Sequence, residues 1–270
     1  MMLRFSATGV THRGLVRDNN EDSGFCGPDL VLVADGVGGG AAGEVASATA
    51  AYALTAVAMA NRGHDPETTL RDGVATAQRE LAAGVHAVPE RAGMATTMTA
   101  VFTDGSRFVL AHIGDSRGYV WRDDELTRIT RDHTYVASLV DEGRLDEAEA
   151  SQHPWRNVVL RTINGEVAGS ADLLPLDLRA GDRVLLASDG LTDLVDEDEI
   201  AAVLERYSDD PACEALRDLA LARGGRDNVT VVMATVHDGP PVDSVGRMLG
   251  AVLDPRNIVD PSAVRIAHSA

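Results

Sequence analysis

Four aspartates stand where short apolar runs meet turns, and carboxylates so placed can hold hard divalent cations. Asp35 closes Leu30-Val31-Leu32-Val33-Ala34 and is followed by Gly36. Asp115 follows Leu110-Ala111-His112-Ile113-Gly114, and Asp189 follows Val184-Leu185-Leu186-Ala187-Ser188. Asp227 reverses the order and opens Asn228-Val229-Thr230-Val231-Val232. A carboxylate at the mouth of a buried strand is partly desolvated, which is costly unless it is paired or binds a cation. One such residue is ordinarily a turn or a cap, but this recurrence asks for a shared cause. Adjacent antiparallel strands bring one strand's end beside its neighbour's start, so Asp227 can meet Asp35 and Asp189 at one rim. No His or Cys cluster accompanies them, and all-oxygen ligation favours Mg²⁺ or Mn²⁺ over zinc or copper. Two such ions would share a water, lower its pKa and neutralise phosphoryl oxygens.

Two neighbouring segments fit that chemistry. Gly36, Gly38, Gly39 and Gly40 let the backbone approach a ligand closely, although the run could equally be a flexible connector. It lacks the lysine of a P-loop. In Gly14-Leu15-Val16-Arg17-Asp18-Asn19-Asn20-Glu21-Asp22 an arginine stands among acids. Alone this reads as a solvated loop; beside a dimetal centre the Arg17 fork can bind a phosphate bidentately.

The elements that must position these residues are short strands and paired helices. Leu30–Ala34, Thr97–Phe102, Phe108–Ile113, Gly118–Trp121, Arg183–Ala187 and Val229–Val236 read as strands. Thr103-Asp104-Gly105-Ser106 and Arg122-Asp123-Asp124-Glu125 read as hairpin turns, so pairing is antiparallel. Ala42–Asn61 and Pro66–His86 form one consecutive helix pair, the second capped by Asp65. Asp196–Tyr207 and Pro211–Arg223 form another. Antiparallel strands with helices in adjacent pairs indicate an α+β layered domain, not a doubly wound one. Residues 132–168 loosen into polar helical pieces, an expected lid or flap. The tail after His237 is expected to be peripheral or partly disordered.

Bulk properties narrow the function classes. The 270 residues are 44% apolar but only 4% aromatic, so the core must be built mainly from Ala, Val and Leu. Against 24 basic residues stand 42 acidic ones, a formal charge of −18 that repels nucleic acid and anionic membranes. Cys26 and Cys213 are far apart and form no CxxC, which fits a reducing compartment. No signal-peptide run and no membrane-length apolar stretch is present, so a cytoplasmic protein is expected.

Arg17…Asn20-Glu21-Asp22, Ala34-Asp35-Gly36-x-Gly38-Gly39, Gly93-x-x-Thr96-Thr97, Ile113-Gly114-Asp115-Ser116-Arg117, Ala187-Ser188-Asp189-Gly190-Leu191-x-Asp193 and Gly225-x-Asp227-Asn228-Val229-Thr230 occur in one order. In that order they resemble the PPM family of metal-dependent protein phosphatases (type 2C), its bacterial branch in particular, over about residues 5–237. The resemblance implies a four-layer αββα fold: a central antiparallel β-sandwich flanked by paired helices. It implies a catalytic domain over 1–237, a flap at about 139–166 credited with substrate selection, and an extension at 238–270.

The resemblance further implies that Asp35 bridges two Mn²⁺ or Mg²⁺ ions, with Asp189 and Asp227 on one and the Gly36 carbonyl on the other. Asp115, with Asp189, would match a weaker third-metal position. Glu21 and Asp22 would act through metal-bound waters, and Arg17 would hold the phosphate. Arg17, Asp35, Asp189 and Asp227 would carry the catalysis. The implied substrates are phosphoserine and phosphothreonine proteins, products of a serine/threonine kinase in signal transduction, and a monomer is expected. Gly40 stands where bacterial relatives often carry a histidine that assists the leaving group. The alternative is therefore a weakened member acting as a regulatory or binding module. His133 also matches a recurrent family element; it is read as structural, as are His12, His112 and His153.

Overall fold

The apolar runs of the sequence become the inner strands of two antiparallel sheets. The computed structural model describes residues 2–37, 42–150, 152–166, 171–240 and 246–262. One sheet contains β1 (Leu3–His12), β7 (Arg117–Arg122), β8 (Glu125–Arg128), β10 (Arg183–Ala187) and β11 (Val229–Asp238), in the order β1-β11-β10-β7-β8. The other contains β2 (Asp22–Cys26), β3 (Leu30–Val37), β5 (Met98–Thr103), β6 (Phe108–Ile113), β9 (Asp172–Leu176) and β12 (Arg247–Gly250), in the order β12-β2-β3-β5-β6-β9. The two-residue strand β4 (Ala95–Thr96) pairs with the end of β3.

Side-chain alternation along the strands generates the layers. On β3, Val31 and Val33 point into the space between the sheets, while Leu32 points to the helices α1 (Gly43–Ala60) and α2 (Pro66–Ala87). On β11, Val232 faces the same inter-sheet space. Val231 and Met233 face α6 (Glu197–Arg206) and α7 (Asp209–Ala222). Each sheet is thus buried on both sides, which gives helix, sheet, sheet and helix in four layers. Alanines 46, 50 and 53 of α1 are fully buried, so small residues rather than aromatics bring that helix close to its sheet. The Asp65 carboxylate caps α2, accepting from the Thr68 amide at 2.8 Å.

Both predicted helix pairs and all six predicted strands are present, with ends moved by a few residues. The strands that composition did not reveal are short, polar or at edges. β1 and β2 mix Ser, Thr, Gly and Asp with few apolar residues. β8 and β9 are edge strands, which is where Pro175 can lie without a missing ladder bond. Segment 132–166 holds α3 (Tyr135–Asp141) and α4 (Glu147–Ala150), tied back by bridges Thr134↔Val159 and Thr96↔Ile163.

In the tail, residues 246–262 pack against the sandwich. Residues 247–250 add β12 to the edge of β2, and Leu249, Ala251 and Val252 are buried. A four-residue strand bounded by glycines carries too little periodicity to announce itself in the sequence.

Candidate metal centre

Strand pairing gathers the predicted acids at one end of the sandwich. Asp22 opens β2 and lies opposite Asp35 on β3. Asp189 follows β10 through Ser188, and Asp227 precedes β11, which pairs with β10. Asp115 lies in the turn between β6 and β7, so both sheets contribute. Asp35 and Asp189 keep one side open to solvent, whereas Asp22 is fully buried.

The electrostatics show how closely the acids are grouped. Burial drives the Asp35 carboxyl well above the ordinary carboxylate range, and Asp22, Asp189, Asp115 and Asp227 push it further. Asp189 is raised in the same way, by burial and then by Asp115, Asp193, Asp227 and Asp22. Burial raises Asp22 to about 6 against hydrogen bonds from Thr230 and Ser188. Asp115 rises to about 7, chiefly through burial and then through Asp132. Glu21 is raised by burial, with Glu44 adding to it. Among the described residues, none of Asp22, Asp35, Asp115 and Asp189 has an arginine or histidine as ion-pair partner, and the buried Asp22 Oδ1 has no hydrogen-bond donor at all.

Such a set of hard oxygen donors fits divalent cations, because clustered buried carboxylates need positive charge to ionise together. Among the described residues, no three His, Cys, Asp or Glu side chains by themselves enclose an ion. The donors are all oxygens, a set that suits Mg²⁺ or Mn²⁺, which keep waters and accept backbone oxygens in their shell. Gly36 is placed tightly enough that only glycine fits: a Cβ there would lie 2.4 Å from the Gly43 carbonyl oxygen and 2.8 Å from that of Glu21. Gly38, Gly39 and Gly40 lie outside the described residues.

Arg17 stands at the rim with half its side chain exposed and donates to Asp227 at 2.7 Å. The two predicted site residues therefore meet each other directly. Beyond Asp115 and Asp189 a cleft of about 600 Å³ runs under α3 and the 147–157 segment, past Arg117, Asp132, Asp193 and Arg156.

Several residues that position the rim carried no role in the sequence reading. Asn228 is buried and ties three loop positions together: its side chain accepts from the Glu21 amide at 2.7 Å and donates to the Arg13 and Asn19 carbonyls, each at 2.9 Å. Ser188 donates to Asp22 Oδ2 at 2.8 Å and accepts from the Thr230 amide at 2.9 Å. Thr97 accepts from the Asp35 amide at 3.0 Å and bonds the Ser116 hydroxyl at 2.8 Å, linking Asp35 to the Asp115 turn. The available signal was adjacency, since each flanks a predicted acid or stands one strand pair away. The four histidines read as structural all make hydrogen bonds within the fold. His112 bonds Thr99 and the Arg131 carbonyl. His133 accepts from the Gly114 amide at Nδ1, and its Nε2 lies 3.0 Å from Asp172 Oδ2 and 2.8 Å from an Arg161 guanidinium nitrogen. His12 and His153 each accept from a backbone amide two residues on.

Comparison with known proteins agrees with this geometry. The sequence profile described as protein phosphatase 2C matches residues 15–220. The serine/threonine protein phosphatase PstP of Mycobacterium tuberculosis is 45% identical over 238 residues, 88% of this chain but 46% of that protein, so the chain spans about half the length of this relative. The serine/threonine phosphatase stp of Listeria welshimeri is 34% identical over 83% of this chain and 92% of its own. A crystal structure of the PstP catalytic domain in complex with two manganese ions superposes with a TM-score of 0.81 at 44% identity, covering 87% of this chain and all of that one. With two antiparallel sheets between paired helices and the acids of five of the six ordered motifs gathered at one rim, this chain belongs to the protein phosphatase 2C family.

Proposed function

We propose that this chain is a metal-dependent protein phosphatase that hydrolyses phosphoserine and phosphothreonine esters in proteins. The carrying observation is the group of carboxylates at Asp22, Asp35, Asp115 and Asp189, none of which has an ion-pair partner among the described residues. A module that has lost catalysis has little physical need for that charge, whereas a metal-dependent phosphatase uses it. The named relatives, phosphatases in two other bacteria, and the two manganese ions of one solved structure support the same reading.

Asp35, Asp189, Asp227 and the Gly36 carbonyl would hold two Mn²⁺ or Mg²⁺ ions, and Asp115 with Asp189 a third. Glu21 and Asp22 would accept from water around them. When bound, the cations supply positive charge that neutralises the phosphoryl oxygens and acidifies a water. Arg17 takes a phosphate oxygen pair with its exposed guanidinium, orienting the ester for in-line attack. Water oxygen bonds to phosphorus as the seryl or threonyl oxygen leaves, and with Gly40 offering no side chain the leaving oxygen takes its proton from water. The segment 139–166 is the flap that walls the cleft, and residues 1–237 supply all the catalytic groups.

Substrates on this reading are products of a serine/threonine kinase in a signalling circuit, and the enzyme acts as a monomer. Both cysteines are free, which supports a reducing, cytoplasmic setting. With Mn²⁺ present a phosphothreonine peptide is expected to be hydrolysed. Asp35→Asn lowers kcat/KM by about 100-fold or more. Full turnover in excess chelator, or an unimpaired Asp35→Asn enzyme, overturns the proposal.

A further inference from the structure

We infer that residues 246–262, which lie beyond the 15–220 family match, form a strap that positions the strand carrying Glu21 and Asp22 and so sets the affinity of the rim for its cations. The inference rests on the metal-centre reading above and deepens it. β12 lies antiparallel to β2, Arg247 opposite Cys26 and Gly250 opposite Ser23, so the strap's last strand residue stops one place short of Asp22. There Gly250 takes φ 76°, and a Cβ at that position would lie 2.1 Å from the Asp22 carbonyl oxygen. The backbone of the strap therefore bears directly on the backbone of a rim residue, at a contact only glycine permits.

The rest of the strap is anchored to elements that serve the same rim. Leu249 is buried in the inter-sheet core, and the Arg247 guanidinium donates to the Gly9 carbonyl at 2.8 Å. Ala251 and Val252 pack on Ala48 of α1. The Thr49 hydroxyl donates to the Asn257 carbonyl at 3.2 Å and accepts from the Val259 amide at 3.1 Å. Tyr52 donates to the Pro261 carbonyl at 3.0 Å. Helix α1 in turn reaches the rim through Ser47, whose hydroxyl donates to the Glu21 carbonyl and bonds Ser23 at 3.0 Å. β2 and α1 are thus clamped together by one segment. β2 would otherwise be an edge strand, free to shift its acids by fractions of an ångström, and positions around a metal depend on such outer supports.

The test uses the chain of 270 residues with Gly250→Ala and, because that variant risks misfolding, Thr49→Val, which removes both strap bonds at near-constant volume. Calorimetric Mn²⁺ titration is expected to show about tenfold weaker binding in Gly250→Ala, and weaker binding in Thr49→Val, with kcat at saturating Mn²⁺ retained. Hydrogen exchange of the Ser23–Cys26 amides is expected to quicken in both. Folded variants with parental Mn²⁺ affinity and parental exchange overturn the strap. A parent chain that neither binds Mn²⁺ nor hydrolyses phosphopeptide overturns the phosphatase reading instead, and the exchange measurement still decides the strap.

Discussion

At the scale of single residues, the site is an arrangement of acids whose charges are tolerable only together with cations, held by neutral side chains. Asn228 shows the second half of that statement. Its amide makes bonds to the Glu21 amide and to the Arg13 and Asn19 carbonyls, and no other residue type offers an acceptor and two donors in that volume. Asn228→Ala is expected to lower stability by about 3 kcal/mol through stranded backbone groups, read from urea unfolding. Asn228→Asp does worse, because it turns a negative oxygen toward two carbonyls. The acids themselves were legible in the sequence, since a carboxylate ending an apolar run is conspicuous. Asn228, Ser188 and Thr97 were not legible as supports: a single polar residue beside a strand gives no hint of which distant backbone it meets. The Arg17–Asp227 contact joins residues 210 apart and was equally hidden.

At the scale of elements, the cleft is shaped by how segment 132–166 leaves and rejoins the sheets. His133 and Arg161 converge on Asp172 at the start of β9, the histidine at 3.0 Å and the arginine at 2.8 Å. This three-residue clasp holds the two ends of that segment to β9. Asp172→Ala is expected to make cleavage within residues 135–160 severalfold faster in limited proteolysis, while the sandwich stays intact, because the local opening free energy falls without touching either core. Helix pairs were readable from Ala-rich or capped segments of 18 and 22 residues. Strands β1, β2 and β12 were not, because their apolar character is supplied by neighbours in the sheet rather than by their own sequences.

At the scale of the whole molecule, a charge of −18 and a rim of crowded carboxylates make stability depend on pH and metal together. In chelator, the folded carboxyls of Asp22 and Asp115 hold protons up to about 6 and about 7, whereas in the unfolded chain both ionise near 3.8. The folded state binds more protons over that window, so stability falls as pH rises through it. His112, kept neutral down to about 4 by burial, acts in the opposite direction only below its ordinary 6.5. Between pH 6.5 and 8 the thermal midpoint in chelator is therefore expected to fall. Mn²⁺ is expected to abolish the decline, and Asp115→Asn to flatten it, all read by scanning calorimetry. The order of elements along the chain has a further consequence. β1 pairs with β11 over its whole length, from Leu3 opposite Asp238 to His12 opposite Val229, so the first strand waits for nearly the last. During synthesis at roughly 5–20 residues per second, Arg17 leaves the ribosome some 10–40 seconds before Asp227. An unfinished polypeptide consequently carries no complete rim until Asp227 has emerged and β11 can pair with β1.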